Sequence, residues 1–199
     1  MEKKIAVFFD RDGTLNVESG YIRDLNNLIL TEGAAESVKK LNEKGILCIL
    51  VTNQTGPARD YYPESHVLAL NQRLCDLLAE NNARLDKVYY CPHLKNGIVK
   101  EYSFDCNCRK PATGMIDQAQ KDFPDIDLEN SYVVGDKATD IELAYNARCK
   151  GVLLTTGYGQ QVLDGTYQDL KKQPHYVASS ISDAVNWIIQ DISQRKITA

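Results

Sequence analysis

No apolar run in this chain of 199 residues approaches the roughly 20 residues that a membrane-spanning helix requires, so no membrane partner is expected. The opening Met1-Glu2-Lys3-Lys4 lacks the apolar core of a secretion signal and passes straight into a strand-like run, so the expected location is cytoplasmic. An excess of positive charge is missing as well. The formal net charge is -4, which argues against nucleic acid as a partner and leaves phosphate recognition to a few placed cations. There is no internal repeat, low-complexity stretch or interdomain linker, and the length suits a single domain over 1-199. A content of 43% hydrophobic and 25% charged residues excludes broad disorder. Six cysteines in a reducing compartment point to metal ligands or buried fillers rather than disulfides.

What is present begins with Ile5-Ala6-Val7-Phe8-Phe9, a short apolar run that reads as a buried strand of a parallel sheet. It ends in Asp10-Arg11-Asp12-Gly13-Thr14. Ligands bind at the carboxyl edge of open α/β sheets, so Asp10 is placed to meet one. Gly13 permits a turn that lets Asp12 face the same pocket. Two carboxylates sharing a site separate in proton affinity, which suits one as an ionised nucleophile and the other as proton donor and acceptor. An isolated Asp-x-Asp is equally a plain Asx turn. The rest of the chain supplies the company that decides between them.

Residues 16–31 read as a loop or short hairpin, 33–44 as a helix stopped by Gly45, and 46–51 as a strand. That strand ends in Thr52-Asn53-Gln54-Thr55-Gly56, whose hydroxyl, amide and backbone donors suit phosphate oxygens as well as an ordinary turn. The spacing of Val67, Leu70, Leu74, Leu77 and Leu78 predicts a long helix over 63–82, with His66 at the surface and Cys75 as packing. A third strand, Val88-Tyr89-Tyr90, leads to Cys91-Pro92-His93 and, after a polar loop, to Cys106-Asn107-Cys108. Three thiols and one imidazole form a donor set that zinc favours in structural sites. A metal clip over 91–108 fixes a loop that has little core of its own. It would present Arg109-Lys110 to a phosphate at Asp10, whereas the plain alternative is a solvated basic pair before Pro111.

Residues 113–123 read as a modest helix and 131–134 as a fourth strand, which runs into Gly135-Asp136-Lys137-Ala138-Thr139-Asp140. Asp136 can complete an all-oxygen magnesium site with Asp10. Asp140 can orient the loop, and both acids can cap a helix over 138–147. A fifth strand over 151–155, a loop over 156–165, a short edge strand at 175–177 and a closing helix over 181–194 complete the scaffold, with 195–199 as a frayed tail.

Taken in order, Asp10-x-Asp12-Gly13-Thr14, Thr52-Asn53, Lys110 and Gly135-Asp136-x-x-x-Asp140 resemble the four motifs of the haloacid dehalogenase superfamily of phosphohydrolases. The Cys91-Pro92-His93 and Cys106-Asn107-Cys108-Arg109-Lys110-Pro111 segments are similar to those of a zinc-loop subgroup that includes sugar bisphosphate and histidinol-phosphate phosphatases. The resemblance implies an α/β fold, a Rossmann-like three-layer sandwich with a mainly parallel central sheet, capless and carrying the zinc-binding loop. It implies hydrolysis of the 7-phosphate of D-glycero-D-manno-heptose 1,7-bisphosphate through an aspartyl-phosphate, with Mg2+ as catalytic and Zn2+ as structural ion. Asp10 is then the nucleophile, Asp12 the acid and base, and Thr52 and Lys110 the phosphoryl ligands. Magnesium falls to Asp10, Asp12 and Asp136, and zinc to Cys91, His93, Cys106 and Cys108. Glu18, Ser19, Gly20, Tyr21, Asn53, Gln54, Thr55, Arg109 and Lys137 are the implied substrate contacts, and charge and position add Arg59. No insert between the motifs is large enough for a lid, so the expected partner is a small phosphorylated sugar, taken by a chain expected to act as a monomer. Histidinol phosphate as substrate, or a zinc-stabilised binding module without turnover, are the alternatives.

Overall fold

The computed structural model describes residues 3–198. Six strands, β1 (Ala6–Phe9), β2 (Leu47–Asn53), β3 (Lys87–Cys91), β4 (Tyr132–Gly135), β5 (Lys150–Leu154) and β6 (Tyr176–Ala178), form one parallel sheet in the order β3-β2-β1-β4-β5-β6. Parallel neighbours need crossover connections, so helices cover both faces and the strands are apolar on both sides. Along β1, Val7 and Phe9 enter one core with Leu41, Leu50 and Leu70, while Ala6 and Phe8 enter a second with Ile49, Ile116 and Val133. Helices α1 (Ala34–Glu43), α2 (Glu64–Ala79) and α6 (Ile181–Thr198) cover the first face. Helices α3 (Gly114–Asp122) and α4 (Ala138–Asn146) cover the second. The layers agree with the α/β sandwich that the resemblance implies.

The strand order places the functional residues. β1 lies between β2 and β4, and the connections from β1 and β4 build outward to opposite sides, which opens a crevice at their carboxyl ends. The Asp10 N–H donates to the Val134 carbonyl at 2.9 Å, so the chain is still tied to β4 where it enters that crevice.

Three expectations are corrected. Residues 156–165 contain a short helix, α5 (Gly159–Leu163), rather than only loop. One turn flanked by Gly157 and Gly165 is too short to show a period, and its buried Val162 finds Ile141 and Leu153 only in the folded chain. The closing helix runs on to Thr198 across the tail expected to fray. The Arg195 guanidinium bonds Asp191 one turn earlier and also reaches Asn130 and Tyr132, partners distant in sequence. Ala199 of that tail lies outside the described residues. His66, expected at the surface, is half-buried with its Nε2 2.9 Å from the Ile22 carbonyl. No helix among the described residues is long and apolar enough to cross a membrane.

The sheet edge carries a pH-sensitive contact. The Gly151 N–H donates to His175 Nδ1 at 3.0 Å, a bond that requires an unprotonated ring nitrogen. Partial burial and the neighbouring Lys150 lower the imidazole pKa from 6.5. The unfolded chain therefore binds the proton first, and this contribution is complete above pH 6.5 and is lost as pH falls through the lowered folded value. Urea unfolding should show a small loss of stability on acidification from pH 7 toward 5, and His175→Asn, whose amide oxygen can accept the same N–H, should reduce that slope.

Candidate active site

Four segments converge at the crevice. Asp10 directly follows β1, β2 ends in Asn53, the turn into α4 carries Asp136 and Lys137 with Asp140 in the first turn of that helix, and the loop after β3 returns Lys110 to the same point. The Lys110 ammonium is fully enclosed, 2.8 Å from Asp10 Oδ1 and 2.7 Å from Asp140 Oδ1. Asn53 fixes the backbone that delivers it: its Oδ1 accepts the Lys110 N–H at 3.0 Å and its Nδ2 donates to the Lys110 carbonyl at 3.2 Å. Lys137 Nζ lies 3.3 Å from Glu18, 3.6 Å from Asp136 and 3.9 Å from Asp10.

Burial favours the neutral form of Asp10, but the charges of Lys110 and Lys137 outweigh it and hold the pKa down to about 2. Asp10 is therefore ionised at neutral pH. Burial also dominates at Asp136, where Lys137 opposes it but Asp10 and Asp140 add repulsion, and the pKa is pushed up to about 7. Lys110 is raised against its own burial by the two carboxylates it bridges.

Asp12 sits in different company. Its carboxylate accepts from Arg11 Nη2 at 3.0 Å, Asn16 Nδ2 at 3.1 Å and Gln54 Nε2 at 2.8 Å. Arg11, 1% exposed, is itself held by Asn71 of α2 at 3.1 Å. The two acids of the motif thus share one cleft but not one set of cations.

That cleft holds about 270 Å³. Asp10, Asp12, Glu18, Gly20 and Tyr21 line it from the β1 side, and Asn53, Gln54, Thr55 and Arg59 from the β2 side. Arg109, Lys110 and Lys137 complete the set expected from sequence. Ser19 is exposed away from the lining, and Thr52 is buried behind it with its hydroxyl accepting from Gln54 Nε2 at 3.0 Å. The Tyr21 hydroxyl meets Thr55 Oγ1 at 3.0 Å, and the Arg109 guanidinium donates to the His93 carbonyl at 3.2 Å.

Two donor sets suit metal ions. Carboxylate oxygens of Asp10, Asp136 and Asp140 lie within 4.8 Å of one another. Asp136 Oδ1 is buried without a hydrogen-bond partner while its Oδ2 accepts the Tyr158 N–H at 2.8 Å. An oxygen set with an unsatisfied buried oxygen fits a hard divalent ion. Asp140 is already spent, one oxygen on Lys110 and the other accepting the Lys137 N–H at 3.0 Å as a cap of α4. In the second set, Cys108 Sγ is 3.0 Å from Cys91 Sγ, 3.2 Å from Cys106 Sγ and 3.2 Å from His93 Nδ1. Three sulfurs and one nitrogen this close match the composition of a structural zinc site.

The HAD-hydrolase-like family model matches residues 107–184. A D-glycero-D-manno-heptose-1,7-bisphosphate 7-phosphatase of Thermosynechococcus vestitus is 50% identical over 194 residues, covering 96% of this chain and 98% of that protein. The chain belongs to this family of HAD-like phosphatases. A second relative, the D-glycero-beta-D-manno-heptose-1,7-bisphosphate 7-phosphatase of Pasteurella multocida, is 41% identical over 90% of this chain and 94% of its own length. Among solved structures, the D,D-heptose 1,7-bisphosphate phosphatase from B. bronchiseptica complexed with magnesium and phosphate superposes with a TM-score of 0.82 at 25% identity, covering 94% of this chain and 99% of that one.

Several cleft residues escaped the sequence reading. Arg11 stands between two acids that drew attention to themselves, and its partner Asn71 is 60 positions away. Tyr62, Tyr158, Tyr167 and Gln168 line the cleft from segments without a strand-end signal, and Thr139 lines it from within the acidic cluster after β4. Gly157, at φ 52°, presses on Asp136, where a Cβ would lie 2.1 Å from Oδ2.

Lys110→Met should leave Asp10 and Asp140 buried without their cation and cost about 3 kcal/mol of stability. Urea denaturation of the metal-free protein measures this, and adding Asp140→Asn to the same chain should restore part of the loss.

Proposed function

We propose that the chain removes the 7-phosphate of D-glycero-D-manno-heptose 1,7-bisphosphate through an aspartyl-phosphate. The observation that carries the reading is the placing of Asp10, ionised by Lys110 and Lys137, beside a second acid, Asp12, with partners of its own. The names and coverage of the relatives support the substrate.

The Asp10 carboxylate attacks phosphorus, forming an acyl-phosphate bond as the bond to the sugar oxygen breaks. Asp12 gives its proton to that departing oxygen. In the second step a water attacks the same phosphorus, Asp12 takes its proton, and inorganic phosphate leaves as Asp10 is regenerated. Lys110 holds a phosphoryl oxygen and also keeps Asp10 deprotonated, while Thr52, behind the lining, supports it through Gln54. Asp10, Asp136 and the backbone carbonyl of Asp12 are the groups that would hold magnesium. When bound, that ion offsets the repulsion between a carboxylate and a phosphate.

Glu18, Gly20, Tyr21, Gln54 and Thr55 make the substrate side of the cleft, with Arg109 for the second phosphate and Lys137 between substrate and carboxylates. Asn53 serves this site through its grip on Lys110. Cys91, His93, Cys106 and Cys108 would hold zinc, which would close the loop 91–108, and the His93 carbonyl steadies Arg109. Free thiols suit a reducing cytoplasm. Every named group comes from one chain, so one uncapped domain acting as a monomer suffices.

Phosphate release with magnesium from both anomers of the heptose bisphosphate, beside histidinol phosphate, tests the reading. Asp10→Asn should lower turnover on the order of 10³-fold or more. Full activity in that variant sinks the mechanism, and preference for histidinol phosphate moves the substrate. For the loop, elemental analysis should find zinc in the protein as purified and a depleted content in Cys106→Ser, with a KM for the bisphosphate raised about tenfold by loss of Arg109 placement.

A further inference from the structure

The crossover from β5 to β6 does more than connect strands. Three bonds tie it to the carboxylate centre: Thr156 Oγ1 donates to the Gly13 carbonyl at 2.7 Å, the Tyr158 N–H donates to Asp136 Oδ2 at 2.8 Å, and the Ala138 N–H donates to Gln168 Oε1 at 3.1 Å. Between these ties, Tyr158 and Tyr167 stack with centroids 4.2 Å apart and planes 9° from parallel. The Lys137 ammonium lies 5.3 Å from the Tyr158 ring centroid. Tyr158 is half-buried between these groups, whereas Tyr167 is 43% exposed, and both line the cleft that holds Asp10.

A pair of rings fixed this way has little purpose in the core. Burial of Tyr167 is incomplete, so packing does not account for ordering a large side chain there. Its position does. Anything esterified to a phosphate at Asp10 must leave through this cleft, and a flat apolar surface held rigid at its wall complements the C–H faces of a sugar ring.

We propose that Tyr158 and Tyr167 form an aromatic wall against which the sugar of the phosphate ester packs, with Tyr167 making the contact and Tyr158 backing it. The inference rests on the sugar-phosphatase reading and extends it to two residues outside the motifs. Tyr21, 41% exposed on the same cleft and bonded to Thr55, supplies a second aromatic edge. Because the Tyr158 backbone holds Asp136 and the Gln168 side chain caps α4, the wall and the carboxylate centre share one frame.

The test compares kcat/KM for heptose 1,7-bisphosphate with that for acetyl phosphate, which has no ring to pack. Tyr167→Ala should lower the ratio roughly 5- to 10-fold, carried by KM of the sugar substrate rather than by kcat. Tyr167→Phe, which keeps the ring, should hold the ratio near the wild-type value. An unmoved ratio in the alanine variant, or a phenylalanine variant as impaired as alanine, overturns the wall while wild-type sugar turnover upholds the proposed function. Absence of wild-type turnover of the heptose substrate overturns that function and the wall with it.

Discussion

A buried ammonium between two buried carboxylates is the constraint around which this molecule is built. Lys110 pairs with Asp10 and Asp140, all three side chains buried, where each unpaired charge costs several kcal/mol. Such a group is tolerable only if its partners are fixed in place. The surroundings do this from both sides. Asn53 clamps the Lys110 backbone, and residue 135 must lack a Cβ because the Asp140 carboxylate occupies that space, 2.2 Å from where the Cβ would stand. The arrangement contributes reactivity more than stability: it keeps a deeply buried carboxylate ionised and therefore nucleophilic. With Lys137, Glu18 and Asp136 included, four carboxylates surround two ammonium groups. The excess of negative charge is what a divalent cation can relieve, and together with burial, the larger cause, it raises the pKa of Asp136.

The second acid obeys the opposite logic. Asp12 is only partly buried and is held by Arg11 and two amides, so its hydrogen-bond partners are set apart from the cluster two residues away. Separate environments for neighbouring acids let one chain perform nucleophilic and proton-transfer steps in a single cleft. Arg11 achieves this from inside the fold, anchored on α2 rather than on either acid's loop. The loop 91–108 plays the corresponding part for Arg109, whose guanidinium donates to the His93 carbonyl, and the thiols and imidazole of that loop lie close together.

Much of this was legible in the residues. Apolar runs marked the four central strands, because parallel strands buried on both faces leave a continuous signal, and shorter aromatic and β-branched runs marked the partly exposed edges β3 and β6. Acids and small polar groups immediately after those runs marked the sheet edge. Illegible were α5, the continuation of α6 and the half-burial of His66, each settled by contacts with distant segments. The same holds for Thr52 and Ser19, whose positions in a motif say nothing of whether their side chains reach the cleft surface.

The sequence alone determined the sheet-forming segments, the acids at their ends and the thiol and imidazole donor set, since these depend on local hydrophobic period and on side-chain chemistry. Only the tertiary structure decided which charges meet. The reversal of strand order between β2 and β4 brings Asp10 and Asp136 side by side, the loop after β3 inserts Lys110 between one carboxylate that follows β1 and another in α4, and the β5 to β6 crossover lays its tyrosines along the same cleft. The physical reason is the reach of each effect. Periodicity acts over neighbouring residues, whereas the protonation of a buried acid depends on charges a few ångströms away in space and 100 positions away in the chain.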